Sequence, residues 1–382
     1  MGGISMPTRF NKESILAAMA INSAASQIKV AELYGSASGI GWGTGRHPSE
    51  LPRVDFEQVC EHVRLARLQG FRFNYIINSV CYGNKEYNNE SIKELINLIG
   101  NCVDSGVDVI TIANPFLIQL ISRNFPKITV NASVIAGIKN IKNAHFFNNS
   151  GAKRITIHTD INRDLNLLKQ FRNKLNCELE ILLNRSCLLG CPLEHYHYCV
   201  LGHGSDDIKL DSWINYCTLS CTLIKLRNPH EIFRSGWIRP RDLERYENLG
   251  IDFYKIVGRE LNISTIAKIT NIYCHLKSVP DFGEIFKVAG LVKLPSGRIV
   301  STLFHINGCD NDEDFEKRFQ PVERCMVDCG SCNVCSELAS KYLHIEEKEA
   351  FIKIFKSDLK ASVTLLSEQD RKGINKWTEK VE

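Results

Sequence analysis

The chain has 382 residues, 44% of them hydrophobic and 24% charged, with a formal net charge of +4. That balance belongs to a globular protein with a sizeable core rather than to a disordered chain. The modest charge leaves room for an anionic ligand but lacks the dense basic stripe of a dedicated nucleic-acid binder. No run approaches the roughly 18 consecutive apolar residues of a membrane span. Met1 to Asn11 also lacks the basic and apolar regions of a secretory leader. A cytoplasmic location, with no membrane partner, is therefore expected.

Residues 1–28 read as an N-terminal segment. From Lys29 onward, short β-branched apolar segments alternate with stretches of helical spacing. Eight segments read as strands: K-V-A-E-L-Y-G, F-R-F-N-Y-I-I-N, V-D-V-I-T-I-A-N, K-I-T-V-N-A-S, K-R-I-T-I-H-T-D, E-L-E-I-L-L-N, E-I-F-R-S-G-W-I and F-Y-K-I-V-G-R-E. Between them, Phe56, Val59, Cys60 and Val63 follow the i, i+3, i+4, i+7 spacing of a helix face, as do Ile92, Leu95, Ile96 and Ile99. Glycines at 70, 106, 151 and 250 mark helix ends.

Strand–helix repetition gives parallel sheets, because parallel strands need a crossover and the crossover helix covers the sheet. Eight such units predict an α/β fold, a (β/α)8 TIM-like barrel over residues 29–280 with a cysteine-bearing insertion at 185–230. An open doubly wound sheet is the rival, but no G-x-G-x-x-G follows the first predicted strand. Residues 281–382 form a small C-terminal extension that is rich in cysteine.

In such a barrel the chemistry gathers at the C-terminal ends of the strands. Glu32, His158 and Asn184 fall there as candidate catalytic residues. Arg239, Lys255 and Arg259, at the ends of the last two predicted strands, are candidates for holding an anionic substrate or donor. The glycine-rich run after the first predicted strand (Gly35, Gly39, Gly41, Gly43, Gly45) could approach a ligand, act as a lid, or be a plain loop.

The 15 cysteines carry the strongest signal. In a reducing compartment, clustered thiols bind metal or do redox work more often than they form disulfides. Cys60, Cys102 and Cys274 sit on predicted apolar helix faces and read as packing. Cys81, Cys177 and Cys309 are isolated and say little. The insertion, by contrast, carries N-R-S-C-L-L-G-C-P-L-E-H-Y-H-Y-C and then W-I-N-Y-C-T-L-S-C. Cys187 with Cys191, and Cys217 with Cys221, form two C-x-x-x-C pairs. On a helical turn each pair points both sulfurs to one side. Four soft thiolates suit an iron–sulfur cluster or zinc, and the x3 spacing with Pro192 behind Cys191 leans toward iron. Further along, E-R-C-M-V-D-C-G-S-C-N-V-C supplies a second metal candidate in Cys325, Cys329, Cys332 and Cys335, either a second iron–sulfur cluster or zinc.

N-R-S-C-L-L-G-C-P-L-E-H-Y-H, C-T-L-S-C, W-I-R-P-R-D-L-E-R-Y, F-Y-K-I-V-G-R-E and the earlier G-V-D-V-I-T-I-A-N-P-F-L-I with V-N-A-S together resemble the peptidase U32 (collagenase-like) family, over about residues 28–260. The resemblance implies a TIM-like barrel with a 4Fe-4S cluster on four cysteines and oxygen-independent hydroxylation in ubiquinone or RNA pathways. Other members carry a protease label. The family pattern places an earlier cysteine and a G-x-C segment ahead of the C-x-x-x-C pair, where this chain has C-L-L-G-C-P. The C-terminal four-cysteine group lies outside the resemblance.

The expected function is thus an iron–sulfur oxidoreductase that hydroxylates or otherwise oxidises a peptide, RNA or metabolite, with a partner subunit or electron donor. Two alternatives stay open. One is a peptidase using Cys187 or Cys199 near His195 and His197, although neither G-x-S-x-G nor H-E-x-x-H is present. The other is a non-catalytic metal-binding protein that docks a partner.

Overall fold

The structure, a computed structural model, describes residues 2–24, 26–206, 216–286, 292–293, 296–300, 302–310, 312–319, 325 and 329–363. Eight parallel strands close into a barrel: β1 (Gly3–Pro7), β2 (Val30–Gly35), β3 (Arg72–Ile76), β4 (Val109–Ile112), β5 (Thr129–Ala132), β6 (Arg154–Thr156), β7 (Glu178–Leu182) and β8 (Phe253–Lys255). Each strand pairs with the next, and β1 closes the ring against β8 through Gly3–Phe253, Ile4–Tyr254 and Ser5–Lys255. Helices α1 (Lys12–Ser23), α2 (Phe56–Leu68), α3 (Asn89–Asp104), α4 (Pro115–Asn124), α5 (Ile141–Asn149) and α6 (Leu165–Lys174) alternate with the first seven strands. The (β/α)8 expectation is met.

Local chemistry explains these boundaries. Asp55 and Gln58 form a reciprocal capping box at the start of α2. The Asn114 side chain accepts from the backbone N–H groups of Phe116 and Leu117, with Pro115 at the first position of α4. Gly70 leaves α2 at φ 84°, a conformation that costs other residues energy. Cys60, Cys102 and Cys274 are buried on α2, α3 and a later helix, and burial pushes the Cys274 thiol up to about 12.

The strand count was right with one wrong member. Residues 231–238 do not make a barrel strand: Glu231–Arg234 is one helical turn, and an extended stretch follows. The true eighth strand is β1, inside the segment expected to precede the barrel. Its sequence, G-I-S-M-P, is too short to show alternation. Gly3 is required by close packing, since a Cβ there would lie 2.4 Å from the Ala31 Cβ.

The chain divides into two compact units. The first comprises Met1–Leu183, Glu194–Lys209 and Ile238–Lys277 and contains the barrel. It also holds α7 (Glu194–Asp206) and, after the second unit's α8 (Tyr216–Arg227) and α9 (Glu231–Arg234), α10 (Leu243–Asn248) and α11 (Ile263–Cys274).

The second unit comprises Asn184–Leu193, Leu210–Trp237 and Ser278–Glu382. It contains α8 and α9, α12 (Glu313–Arg318), α13 (Val334–Tyr342) and α14 (Lys348–Val363). Its short strands are β9 (Val292–Lys293) with β10 (Ile299–Val300), and β11 (Phe304–Ile306) with β12 (Leu343–Ile345), both antiparallel. The core is aromatic. Trp237 is fully buried with ring centroids 4.5 Å from Phe319 and 4.7 Å from Phe286, and its Nε1 donates to the Ile232 carbonyl at 2.8 Å. Helix α8 packs against α14, and α9 packs against both α8 and α13. Much of the expected insertion therefore groups with the C-terminal extension. After Ile345 the chain forms α14; residues 364–382 lie outside the described residues.

Candidate active site and metal centre

The barrel interior carries a layer of polar side chains at the third position of every strand: Ser5, Glu32, Asn74, Thr111, Asn131, Thr156, Glu180 and Lys255. All are buried. Ser5 Oγ donates to Glu32 at 2.8 Å, Thr111 Oγ1 to Asn74 at 2.7 Å, and Thr156 Oγ1 to Glu180 at 2.7 Å. Arg154, one turn of the pleat below Thr156, reaches Glu32 at 2.8 Å, Glu178 at 2.8 Å and Glu180 at 3.6 Å, and it lies 3.6 Å from the centre of the Phe253 ring. Lys255 Nζ donates to Glu180 at 3.2 Å and stands 4.2 Å from the Tyr34 ring centre.

Two carboxylates and two cations thus balance inside the barrel, the condition under which buried charge is tolerated. Burial alone would raise the Glu32 carboxyl, but Arg154, then Lys255, hold it below its ordinary value. Burial lowers the Lys255 ammonium even though Glu180 and Glu32 oppose this. Glu32 is therefore held in an ion network, a charge-balancing position rather than an open mouth.

The other predicted residues spread over both units. In the barrel unit, His158 Nε2 pairs with Glu194 Oε1 at 2.7 Å, and its Nδ1 accepts from the Asp160 backbone N–H. Lys139 joins Asp160 at 2.7 Å and Glu194 at 3.4 Å. This buried imidazole with a carboxylate partner has acid–base geometry. Arg259 is buried, its guanidinium on the Ser36 and Thr44 hydroxyls, and burial lowers it to about 10. Thr44 and Gly45, from the glycine-rich run, both donate to Asn78 Oδ1, and Asn78 donates to Ser133. Thr44 and Gly45 thereby anchor that run to the residues just after β3 and β5. Arg239 makes a two-pronged ion pair with Asp242 at 2.7 and 2.8 Å. Asn184, in the second unit, donates to the Ile285 carbonyl at 3.1 Å.

Sequence reading missed Arg154, Glu180 and Glu194. The first two were visible in principle, as charges at inward positions of apolar strands. Glu194 was not, because its role rests on a contact with His158 across 36 positions.

All eight cysteines of the two candidate metal groups belong to the second unit. Cys217 and Cys221 are one turn apart on α8, and Cys187 and Cys191 lie on the loop after the barrel's β7. Burial, then the neighbouring Cys191 and Cys221 thiols, push Cys217 up to about 11. Burial also raises Cys221, with Lys225 opposing and Cys187 adding to it. The two pairs are thus mutual neighbours. Arg185 Nε donates to Cys187 Sγ at 2.9 Å, and the Leu188 backbone N–H and Lys225 face Cys221. These donors and cations suit thiolates. Among the described residues, no three His, Cys, Asp or Glu side chains close around a point as one ion would require. A four-iron cluster places each thiolate on a different iron, so its sulfurs stand farther apart than around a single ion. The donor set and its cationic surroundings fit such a cluster.

A lone thiol nucleophile fits less well. Cys199 Sγ is 3.9 Å from His195 Nε2, yet burial and the nearby Cys81 raise it, opposite to an activated cysteine.

The sequence profile of peptidase family U32 matches residues 46–189, from the loop before α2 through the barrel's β7 to Leu188 and Gly190's neighbour Leu189. A curated relative, the uncharacterized protease MJ1657 of Methanocaldococcus jannaschii, is 27% identical over 304 residues, 80% of this chain and 86% of that protein. This chain is similar to peptidase family U32. A second relative, tRNA hydroxylation protein P1 of Bacillus subtilis strain 168, is 23% identical over 266 residues, 65% of this chain and 59% of that protein. Among solved structures, the U32 peptidase Mk0906 aligns with a TM-score of 0.49 at 17% identity, covering 67% of this chain and 92% of that one. Among the described residues, no helix is long and apolar enough to cross a membrane.

Proposed function

We propose that this protein is an iron–sulfur enzyme that hydroxylates RNA without molecular oxygen. The observation that carries the proposal is the neighbourhood of Cys187, Cys191, Cys217 and Cys221, two pairs from separate segments of one unit, set among Arg185 and Lys225. These four would hold a 4Fe-4S cluster, which when bound supplies one-electron transfer. His158 with Glu194 would hold or move a proton in the barrel. Arg259 and Lys255 would position an anionic oxygen donor, while Arg239 braces Asp242. The RNA assignment draws on the name of the Bacillus subtilis relative.

The test compares nucleosides from cells lacking the gene with nucleosides from complemented cells, by mass spectrometry. Loss of a hydroxylated nucleoside, restored by the wild-type gene but not by Cys217→Ala, is expected. An unchanged nucleoside set sinks the RNA assignment.

A further inference from the structure

We infer that the second unit carries another iron–sulfur cluster, on Cys325, Cys329, Cys332 and Cys335, separate from the group just described. The four thiols lie within eleven consecutive residues, spaced C-x3-C-x2-C-x2-C. Structural zinc sites pair two short knuckles separated by a dozen residues or more. In bacterial ferredoxins the C-x2-C-x2-C part of such a run gives three ligands to one cluster and the fourth cysteine serves another; Cys329, Cys332 and Cys335 have that three-ligand spacing, and Cys325 would complete the set.

Cys325 and Cys329 each sit in a helical turn, Cys332 follows at once, and Cys335 stands in the first turn of α13. The Arg234 guanidinium donates to the Cys329 carbonyl at 3.4 Å. All four are partly exposed, whereas Cys217 is buried. A packing role does not explain four half-exposed thiols in one turn-rich segment.

The two groups are also linked through packing. Helix α9 carries Arg234 and rests on α8, which bears Cys217 and Cys221, and on α13, which bears Cys335.

The test is iron, acid-labile sulfide and zinc per chain in anaerobically purified full-length protein, for wild type, Cys329→Ser/Cys332→Ser and Cys217→Ser/Cys221→Ser. With two four-iron clusters, wild type holds about eight irons and each double variant about four. Loss of iron only in Cys217→Ser/Cys221→Ser, or one zinc lost with Cys329→Ser/Cys332→Ser, overturns the inference while leaving the first site standing. Loss only in Cys329→Ser/Cys332→Ser does the reverse. Should a variant fail to fold, wild type decides: four irons with Cys325, Cys329, Cys332 and Cys335 all modified by a thiol reagent in native protein, as mapped on peptides, or zinc beside iron, overturns the second cluster.

Discussion

Replacing Arg154 by methionine tests the charge balance inside the barrel. The guanidinium is wholly buried and meets Glu32 at 2.8 Å, Glu178 at 2.8 Å and Glu180 at 3.6 Å. At an effective dielectric of about 20, one pair at that shorter distance attracts by roughly 6 kcal/mol, and desolvation offsets much of it. Removing one partner leaves Glu32 and Glu180 with only Lys255, at a net cost of about 3–5 kcal/mol. For a unit of this size that lowers the melting temperature by about 6–20 °C.

The pH dependence gives a second reading. In wild type the folded Glu32 carboxyl lies below its ordinary value. Its contribution is therefore present above the unfolded value and lost as pH falls through the folded one. In Arg154→Met burial prevails and raises the carboxyl, so part of the deficit disappears as acid protonates it. Thermal unfolding followed by circular dichroism from neutral to mildly acidic pH measures both. The double variant Glu32→Gln/Arg154→Met should recover part of the loss. A cost below about 1 kcal/mol, independent of pH, refutes the reasoning.

Three other outcomes follow from single residues. Burial lowers His62 to about 4, beside Thr8 Oγ1 at 2.8 Å, so the unfolded chain binds its proton first. Stability should fall by up to about 3 kcal/mol as pH drops from about 6.5 to 4, and urea midpoints of His62→Gln should lose that slope. A Cβ on Gly283 would stand 1.9 Å from the Phe304 carbonyl oxygen, so Gly283→Ala should cost about 2 kcal/mol or more, seen as faster proteolysis of the second unit. His158→Gln should lower kcat by about 10²- to 10⁴-fold with iron content unchanged, once an assay is in hand. An unaltered kcat would remove His158 and Glu194 from the chemistry.

The alternation of β-branched segments with helical spacing was enough to read a barrel, because both faces of a parallel sheet must be covered. Residues 231–238 misled because Ile232, Phe233, Trp237 and Ile238 are all buried, as in a strand. Phe233 and Trp237 are buried by other aromatic rings instead, and that is a tertiary fact. Strand β1 escaped because five residues ending in proline carry no period. At the site, cysteine spacing was legible since ligand geometry ties it to short intervals. Arg239 and Asn184 were placed by strand ends alone, and only coordinates show them bound to Asp242 and Ile285.

The most direct measurement is the visible thiolate-to-iron absorption, with iron content, of anaerobically purified wild type and Cys217→Ala. The account predicts that wild type is coloured and that the variant loses about four irons with part of that absorption. Full iron and an unchanged spectrum in Cys217→Ala would contradict it, as would colourless wild type whose Cys187, Cys191, Cys217 and Cys221 all react as free thiols.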